Sequence, residues 1–206
     1  MGAVDFPFEF EKALDALVYL ASKDLPAFDK YKASKLLFLA DKYHLVKYSR
    51  PITGDRYYAM PHGPAPTTIL NLLNKAIEKE TGNPQVEAIL AVLDIDRSAL
   101  HPRFSAKDHS RAYENLSKSD KAALDEIAVR FGSKMFPELR ALTHEMVAYE
   151  RAWKKRARRK TGKRKGKMPG SAPMAFEDFI EEDSDAVAGA REEMIEDYKL
   201  RSLSGN

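Results

Sequence analysis

Residues 33–66, ASKLLFLADKYHLVKYSRPITGDRYYAMPHGPAP, pass from an apolar helical pattern to a stretch rich in proline and glycine. In the first half, apolar residues recur at helical spacing, at Ala33, Leu36, Leu37, Ala40 and Tyr43. Further apolar residues lie on the other sides, and a helix that is apolar on several faces is usually central and buried. We therefore predict a core helix over residues 30–47, with Asp29 as its N-cap.

The second half of this stretch cannot be helical throughout, because it carries four prolines and two glycines. Gly54 and Asp55 predict a turn, and the tyrosines of residues 56–60 favour a short strand. Pro66 suits the first position of a third helix, which we expect to end near Gly82.

The remaining elements are predicted from periodicity and caps. An amphipathic helix is expected over residues 8–22, and the Ser117 to Asp120 spacing of a capping box begins another helix that Gly132 closes. Pro137 opens a last core helix that runs to Trp153. Residues 86–95 fit either a strand that pairs with residues 101–104 or a short helix, and we favour the strand.

The expected fold is therefore mainly α-helical (α+β), a compact helical domain with a small β-hairpin or short antiparallel sheet. The chain has 206 residues and no cysteine, which excludes disulfides, thiol nucleophiles and cysteine-based zinc sites. The N-terminus lacks a signal-peptide pattern, and no apolar run reaches the ~18 residues of a membrane span. We expect a cytoplasmic protein without a membrane partner.

The sequence shows no pattern that supports catalysis. The ten glycines are scattered, so a phosphate-binding loop is not indicated, and no two of the five histidines have the i, i+4 spacing of a helical zinc motif. Asp41 and His44 lie three residues apart, which more often marks a hydrogen-bonded structural pair, and His144 also suits a structural role. We predict a non-enzymatic protein that needs no metal and no cofactor.

Charge is segregated along the C-terminal third. Residues 151–167 hold eleven basic residues and no acidic one, whereas residues 177–197 hold ten acidic residues and one basic residue. We expect a core domain over residues 1–153, a basic flexible linker over 154–174 and an acidic, partly helical tail over 175–206.

The basic segment leaves three alternatives open: a solvated linker, a contact to a partner protein, or a contact to nucleic acid. We favour the solvated linker, and the alternative function is a nucleic-acid-binding regulator that uses residues 151–167. Base stacking is not indicated, because Trp153 is the only aromatic residue interleaved with the charges. The residues that would make either contact are Lys154, Lys155, Arg156, Arg158, Arg159 and Lys160.

Three linked motifs resemble the Panacea domain of SocA-like antitoxins, found in bacterial and phage toxin–antitoxin systems. They are KLLFLADKYH at 35–44, RPITGD at 50–55 and YAMPHGP at 58–64. LSKSD at 116–120, LTHE at 142–145 and Trp153 add to the likeness, which covers about residues 10–153.

The resemblance implies an antitoxin that neutralises a cognate protein toxin, either by masking it or by delivering it to a protease, with a protease or chaperone as a further partner. It does not indicate the oligomeric state. Within the motifs, seven residues are candidates for partner binding: Lys35, Arg50, Asp55, Arg56, Tyr57, Tyr58 and His62. The others are expected to shape the fold: Asp41, His44, Pro51, Gly54, Gly63, Pro64, His144 and Trp153. Asp55 is expected to pair with Arg50 or Arg56.

Overall fold

A computed structural model describes residues 5–158 and 170–180. The fold is mainly helical with small antiparallel sheets, as the sequence predicts. In chain order the elements are α1 (Phe10–Ala21), α2 (Lys30–Tyr48), β1 (Tyr57–Met60), β2 (Gly63–Pro66), α3 (Thr67–Ile77), α4 (Pro84–Val92), β3 (Leu93–Asp96), β4 (Arg103–Ala106), α5 (Lys118–Phe131), α6 (Phe136–His144), α7 (Val147–Arg158), β5 (Ala172–Pro173) and a 3₁₀ turn (Phe176–Phe179).

Helix α2 is the centre of the molecule. Every residue from Lys32 to Asp41 is buried, because α1, α3, α5, α6 and β2 all pack against this helix. The side chain of Asp29 accepts a hydrogen bond from the backbone N–H of Lys32 at 2.8 Å, which confirms the predicted N-cap. The apolar pattern of the opening stretch therefore identifies the core helix correctly.

Two small sheets surround α2. In the first, β1 lies between β2 and β5 and is antiparallel to both. The second is the β3–β4 hairpin, in which Ile95 lies opposite Phe104. The strand predicted over residues 86–95 is present only in its last part, as β3, because the residues before it form α4. Asn83 caps this helix by accepting hydrogen bonds from the N–H groups of Gln85 and Val86.

The observed bounds of two helices differ from the predicted ones. Pro66 is the last residue of β2, so α3 begins at Thr67, and it ends at Ile77, ahead of Gly82. The helix expected from Pro137 to Trp153 is two helices, α6 and α7. The break stacks His144 on Tyr149, with ring centroids 4.3 Å apart, a contact that residues five positions apart cannot make on one continuous helix.

The core extends beyond Trp153, where the sequence predicted that it would end. Strand β5 pairs with β1, and the aromatic residues Phe176 and Phe179 are buried in the main core together with Ile180. The region predicted as a linker thus begins inside α7 and ends in a sheet. Residues 159–169 and most of the acidic tail, residues 181–206, lie outside the described residues, so the division into three segments stays a prediction. No helix in the described ranges is long and apolar enough to cross a membrane.

Candidate functional site

Asp41 organises the loop that follows α2. Its carboxylate is fully buried and accepts hydrogen bonds from the N–H groups of Ile52 and Thr53, at 2.9 and 3.0 Å. The hydroxyl groups of Thr53 and Tyr57 donate to its other oxygen, at 2.5 and 2.9 Å. Burial raises the pKa of Asp41 to about 6, although these four donors oppose the shift. Asp41 therefore holds the loop and β1 against α2.

Asp55 holds the start of α3. Its two oxygens accept hydrogen bonds from the N–H groups of Thr68 and Ile69, at 3.0 and 2.9 Å. These N–H groups have no partner inside the helix, so the carboxylate caps α3 from a distance in sequence. The expected pairing of Asp55 with Arg50 or Arg56 is not observed, because both oxygens face the helix.

Gly54 lets the N-terminal segment cross this loop. Its φ of +65° is the left-handed conformation that the predicted turn requires, and a Cβ there would lie 2.2 Å from the carbonyl oxygen of Pro7. The N–H of Glu9 donates to the carbonyl of Thr53 at 3.1 Å. Gly54 thus allows the close contact between this loop and the N-terminal segment.

His44 and Arg50 join the end of α2 to the start of α5. The Nδ1 of His44 donates to the carbonyl of Arg50 at 2.7 Å, and its Nε2 lies 3.1 Å from the hydroxyl of Ser119. The same nitrogen lies 3.1 Å from the carboxylate of Asp120, and burial lowers the pKa of His44. The guanidinium of Arg50 lies 3.0 Å from the carboxylate of Asp120. His44 is structural, but it does not pair with Asp41.

Lys35 carries a buried amine behind the β1–β2 hairpin. Its Nζ donates to the carbonyl of Pro64 at 2.6 Å, and the side chain is 2% exposed. Burial, with a smaller contribution from the charge of Arg140, lowers the pKa of Lys35 to about 7. Gly63 beside it has a φ of +94°, a backbone conformation that favours glycine, and a Cβ there would lie 3.0 Å from Nζ and 2.9 Å from the hydroxyl of Thr143.

A surface of aromatic and basic side chains surrounds the turn of this hairpin. The ring of Tyr31 lies 6.1 Å from that of His62, 5.7 Å from that of His101 and 5.3 Å from that of Phe136, measured between centroids. Arg140 donates to the carbonyl of Pro61 from two nitrogens, at 3.3 and 3.4 Å. We call Tyr31, His62, His101, Phe136 and Arg140 the hairpin-turn face.

A stack of three rings supports the hairpin from α7. Tyr149 lies between His144 and Trp153, with centroid distances of 4.3 and 5.5 Å. The hydroxyl of Tyr149 donates to the carbonyl of Met60 at 2.9 Å. His144 and Trp153 thus contact the two faces of the tyrosine that bonds to β1.

Comparison with known families identifies this architecture. The sequence model of the family described as Antitoxin SocA-like, Panacea domain, matches residues 34–154, from the start of α2 into α7. The chain belongs to this family. Comparison with curated proteins and with solved structures gives no match. The resemblance seen in the sequence is thus confirmed, and membership suggests a role in a toxin–antitoxin system with a toxin as partner.

Within this Panacea domain, the seven predicted partner-binding residues fall into two groups. Lys35, Asp55 and Tyr57 are at most 2% exposed, and their polar atoms bond inside the chain. Their burial leaves no side-chain surface for a partner, so the structure assigns them to the fold. The other four reach the surface to different degrees: Arg50, Arg56, Tyr58 and His62.

His62 alone of these four belongs to the hairpin-turn face. Arg56 lies near the N-terminal segment and pairs with Asp5 at 3.0 Å, and Arg50 is held by Asp120. Sequence reasoning missed Tyr31, His101, Phe136 and Arg140, because they come from separate segments of the Panacea domain and its N-terminal flank. Their only sequence signal is that each is an aromatic or basic residue, and that signal is too common to select them.

The described part of the basic segment contacts acidic groups of the same chain. Lys154 pairs with Glu150 at 2.5 Å, and Arg151 and Lys155 lie 3.0 and 3.6 Å from the carboxylate of Asp178. The two contacts with Asp178 join α7 to the 3₁₀ turn. The side chains of Arg156 and Arg158, and residues Arg159 and Lys160, lie outside the described residues. Over the described ranges, no group of three or more histidine, aspartate or glutamate side chains is arranged to hold a metal ion.

Proposed function

We propose that this protein is a cytoplasmic antitoxin that binds and neutralises a cognate protein toxin through the hairpin-turn face. Family membership supports the class of function. The observation that carries the choice of surface is the convergence of three aromatic or histidine rings around Tyr31, next to the anchored guanidinium of Arg140. Aromatic residues and arginine are the side chains most enriched at the centres of protein interfaces.

The chemistry of this face favours an acidic toxin surface. His62, His101 and Arg140 are exposed, and each can donate to a carboxylate, while the partly buried rings of Tyr31 and Phe136 offer apolar area. The amine of Lys35 lies beneath the hairpin, where it donates to the carbonyl of Pro64, so this group adds no negative charge below the face. Charge complementarity would speed the encounter with an acidic partner and disfavour a basic one.

Co-expression with the product of the neighbouring open reading frame tests the proposal. Toxicity of that product should be suppressed by the wild-type chain and by His109→Asp. It should return with His62→Asp, which places a negative charge in the centre of the face. His109 is an exposed histidine on the loop after β4, so it controls for the substitution itself. Full suppression of toxicity by a soluble His62→Asp variant would refute the choice of surface.

The fate of the toxin separates the two proposed mechanisms. If the antitoxin masks the toxin, the toxin should remain at its original abundance and copurify with the antitoxin. If the antitoxin delivers it to a protease, the half-life of the toxin should fall on co-expression and recover in a strain that lacks that protease. A toxin that is neither bound nor depleted would contradict both mechanisms.

A further inference from the structure

An apolar groove runs between α2 and α5, on a different part of the surface from the hairpin-turn face. Its volume is about 320 Å³. We call it the α2–α5 groove. The residues that line it are Leu39, Lys42, Tyr43, Val46, Lys47, Ile127, Arg130, Phe131 and Phe179.

The groove has an apolar floor and a basic rim. Leu39, Tyr43 and Val46 follow helical spacing on α2, and Ile127 and Phe131 lie one turn apart on α5, so two apolar ridges face each other. The polar groups come from two lysines and one arginine. The described residues that line the groove include no carboxylate. Such a groove suits an amphipathic helix whose polar face is acidic.

The described chain ends at this groove. Phe179 forms part of its wall, and the next residue, Ile180, is 1% exposed and packed in the core. The acidic tail follows Ile180 directly in the sequence, so its first residue is joined to the chain next to the groove.

The tail has the matching pattern. Val187, Ala190, Met194 and Tyr198 follow helical spacing, whereas residues 181–197 hold eight acidic residues and the single base Arg191. A helix over residues 185–198 would be about 21 Å long, and residues 181–184 can span roughly 13 Å in extended form. This is enough to lay the apolar stripe along the groove and to place the acids near its rim.

We propose that the acidic tail of this chain, residues 185–198, docks as an amphipathic helix in the α2–α5 groove. The tail contacts Tyr43, Val46 and Phe131 through its apolar stripe and the rim cations through its carboxylates. Because the segment is tethered at Ile180, its effective concentration at the groove is in the millimolar range. Docking therefore requires only a weak intrinsic affinity.

Paramagnetic relaxation in the full chain tests this docking. The sequence lacks cysteine, so Glu196→Cys provides a single attachment site for a nitroxide spin label, away from the apolar stripe. We expect the amide signals of Leu39, Val46 and Ile127 to lose at least half of their intensity relative to the reduced label. In the Val187→Asp, Met194→Asp double variant the intensity should recover. The matched control, Ser202→Asp with Ser204→Asp, adds the same charge outside the stripe and should leave the loss in place.

Three further samples identify the occupant. Lys47→Glu should reduce the intensity loss, because it reverses a charge at the rim, whereas Lys118→Glu, at the far end of α5, should not. Contacts between copies are measured in a mixture of two kinds of chain. One kind is isotope-labelled and carries no spin label, and the other carries the spin label and no isotope. If the mixture lost as much groove signal as the parent sample, the contact would be made by a second copy and the proposal would be overturned. Equal intensities in the parent and the Val187→Asp, Met194→Asp variant would also overturn it.

Discussion

The hydroxyl of Tyr57 donates to the buried carboxylate of Asp41 at 2.9 Å, and neither residue is more than 2% exposed. Their contact joins the central helix α2 to the first strand of the hairpin. Burial raises the pKa of Tyr57 well above its usual range, and the charges of Asp41 and Asp55 raise it further. The phenol therefore remains a donor at all ordinary pH values. This is a fold-forming contact within the family motif.

Substitution of the two adjacent tyrosines should therefore have unequal effects. Tyr57→Phe keeps the ring contacts with Phe38 and Phe179 but removes one donor to a buried carboxylate. We expect a loss of about 1–2 kcal/mol in the free energy of unfolding. Tyr58→Phe, on the half-buried side of the strand, should change it by less than about 0.5 kcal/mol. Urea unfolding followed by circular dichroism measures both, and equal effects would contradict the role assigned to the Asp41 contact.

Two glycines with positive φ provide a second matched pair. A Cβ at Gly82 meets nothing within 4 Å, whereas a Cβ at Gly54 would lie 2.2 Å from the Pro7 carbonyl oxygen. Gly82→Ala should lower stability by about 1 kcal/mol, from the left-handed backbone alone. Gly54→Ala should lower it by roughly 2 kcal/mol more, because the N-terminal segment must move.

Limited proteolysis locates the effect of Gly54→Ala. Cleavage within residues 5–9 should become faster in this variant and remain unchanged in Gly82→Ala. The contradicting result is that both variants lose the same stability and keep the wild-type cleavage pattern. That result would show that the contact between Gly54 and the segment around Pro7 does not stabilise the fold.

The parts of the fold that the sequence predicted are those fixed by neighbours in the chain. The apolar pattern of α2 and its Asp29 cap are local, and so is the capping box in which Ser117 and Asp120 bond reciprocally. By contrast, Asp55 caps a helix thirteen residues away, and Phe179 reaches the core after a long basic segment. Neither contact has a periodic signal, because both depend on how distant elements pack.

The partner-binding residues show the same limit. Tyr57 and Tyr58 alternate along β1, and a strand places successive side chains on opposite faces. The sequence therefore indicates that their environments differ, but not which tyrosine is buried. In the structure, Phe179 packs against Tyr57. Tyr57 is therefore the buried tyrosine of the two, and it lies in the core although it was predicted to bind a partner.

The buried amine of Lys35 predicts a specific pH dependence of stability. Its pKa is about 7 in the folded state against an ordinary value of 10.5, so between these values the unfolded chain binds more protons than the folded chain. Stability should therefore rise with pH in this window, by at most about 1.4 kcal/mol per pH unit. The stability that this titration adds is complete above the ordinary lysine pKa of 10.5 and absent below about pH 7.

Lys35→Met removes this titration while keeping an unbranched side chain in the same space. We expect its free energy of unfolding to rise less steeply between about pH 7.5 and 9.5 than that of the wild type. Burial also lowers the pKa of Lys32, and Lys32 is present in both proteins, so the comparison isolates the contribution of Lys35. Lys118→Met, at an exposed position, should keep the wild-type slope. Identical slopes in the wild type and Lys35→Met would show that the Lys35 amine remains protonated in the fold.

Phe179 provides the sharpest test of where the folded domain ends. Its ring is 1% exposed and lies 5.2 Å from the ring of Phe38 and 5.6 Å from that of Tyr57, so it completes the core around α2. Phe179→Ala should lower the free energy of unfolding by about 3–5 kcal/mol. Leu100→Ala, at a position that is 92% exposed, should change it by less than about 0.5 kcal/mol. A wild-type unfolding curve for Phe179→Ala would mean that the Phe179 ring adds nothing to the stability of the core.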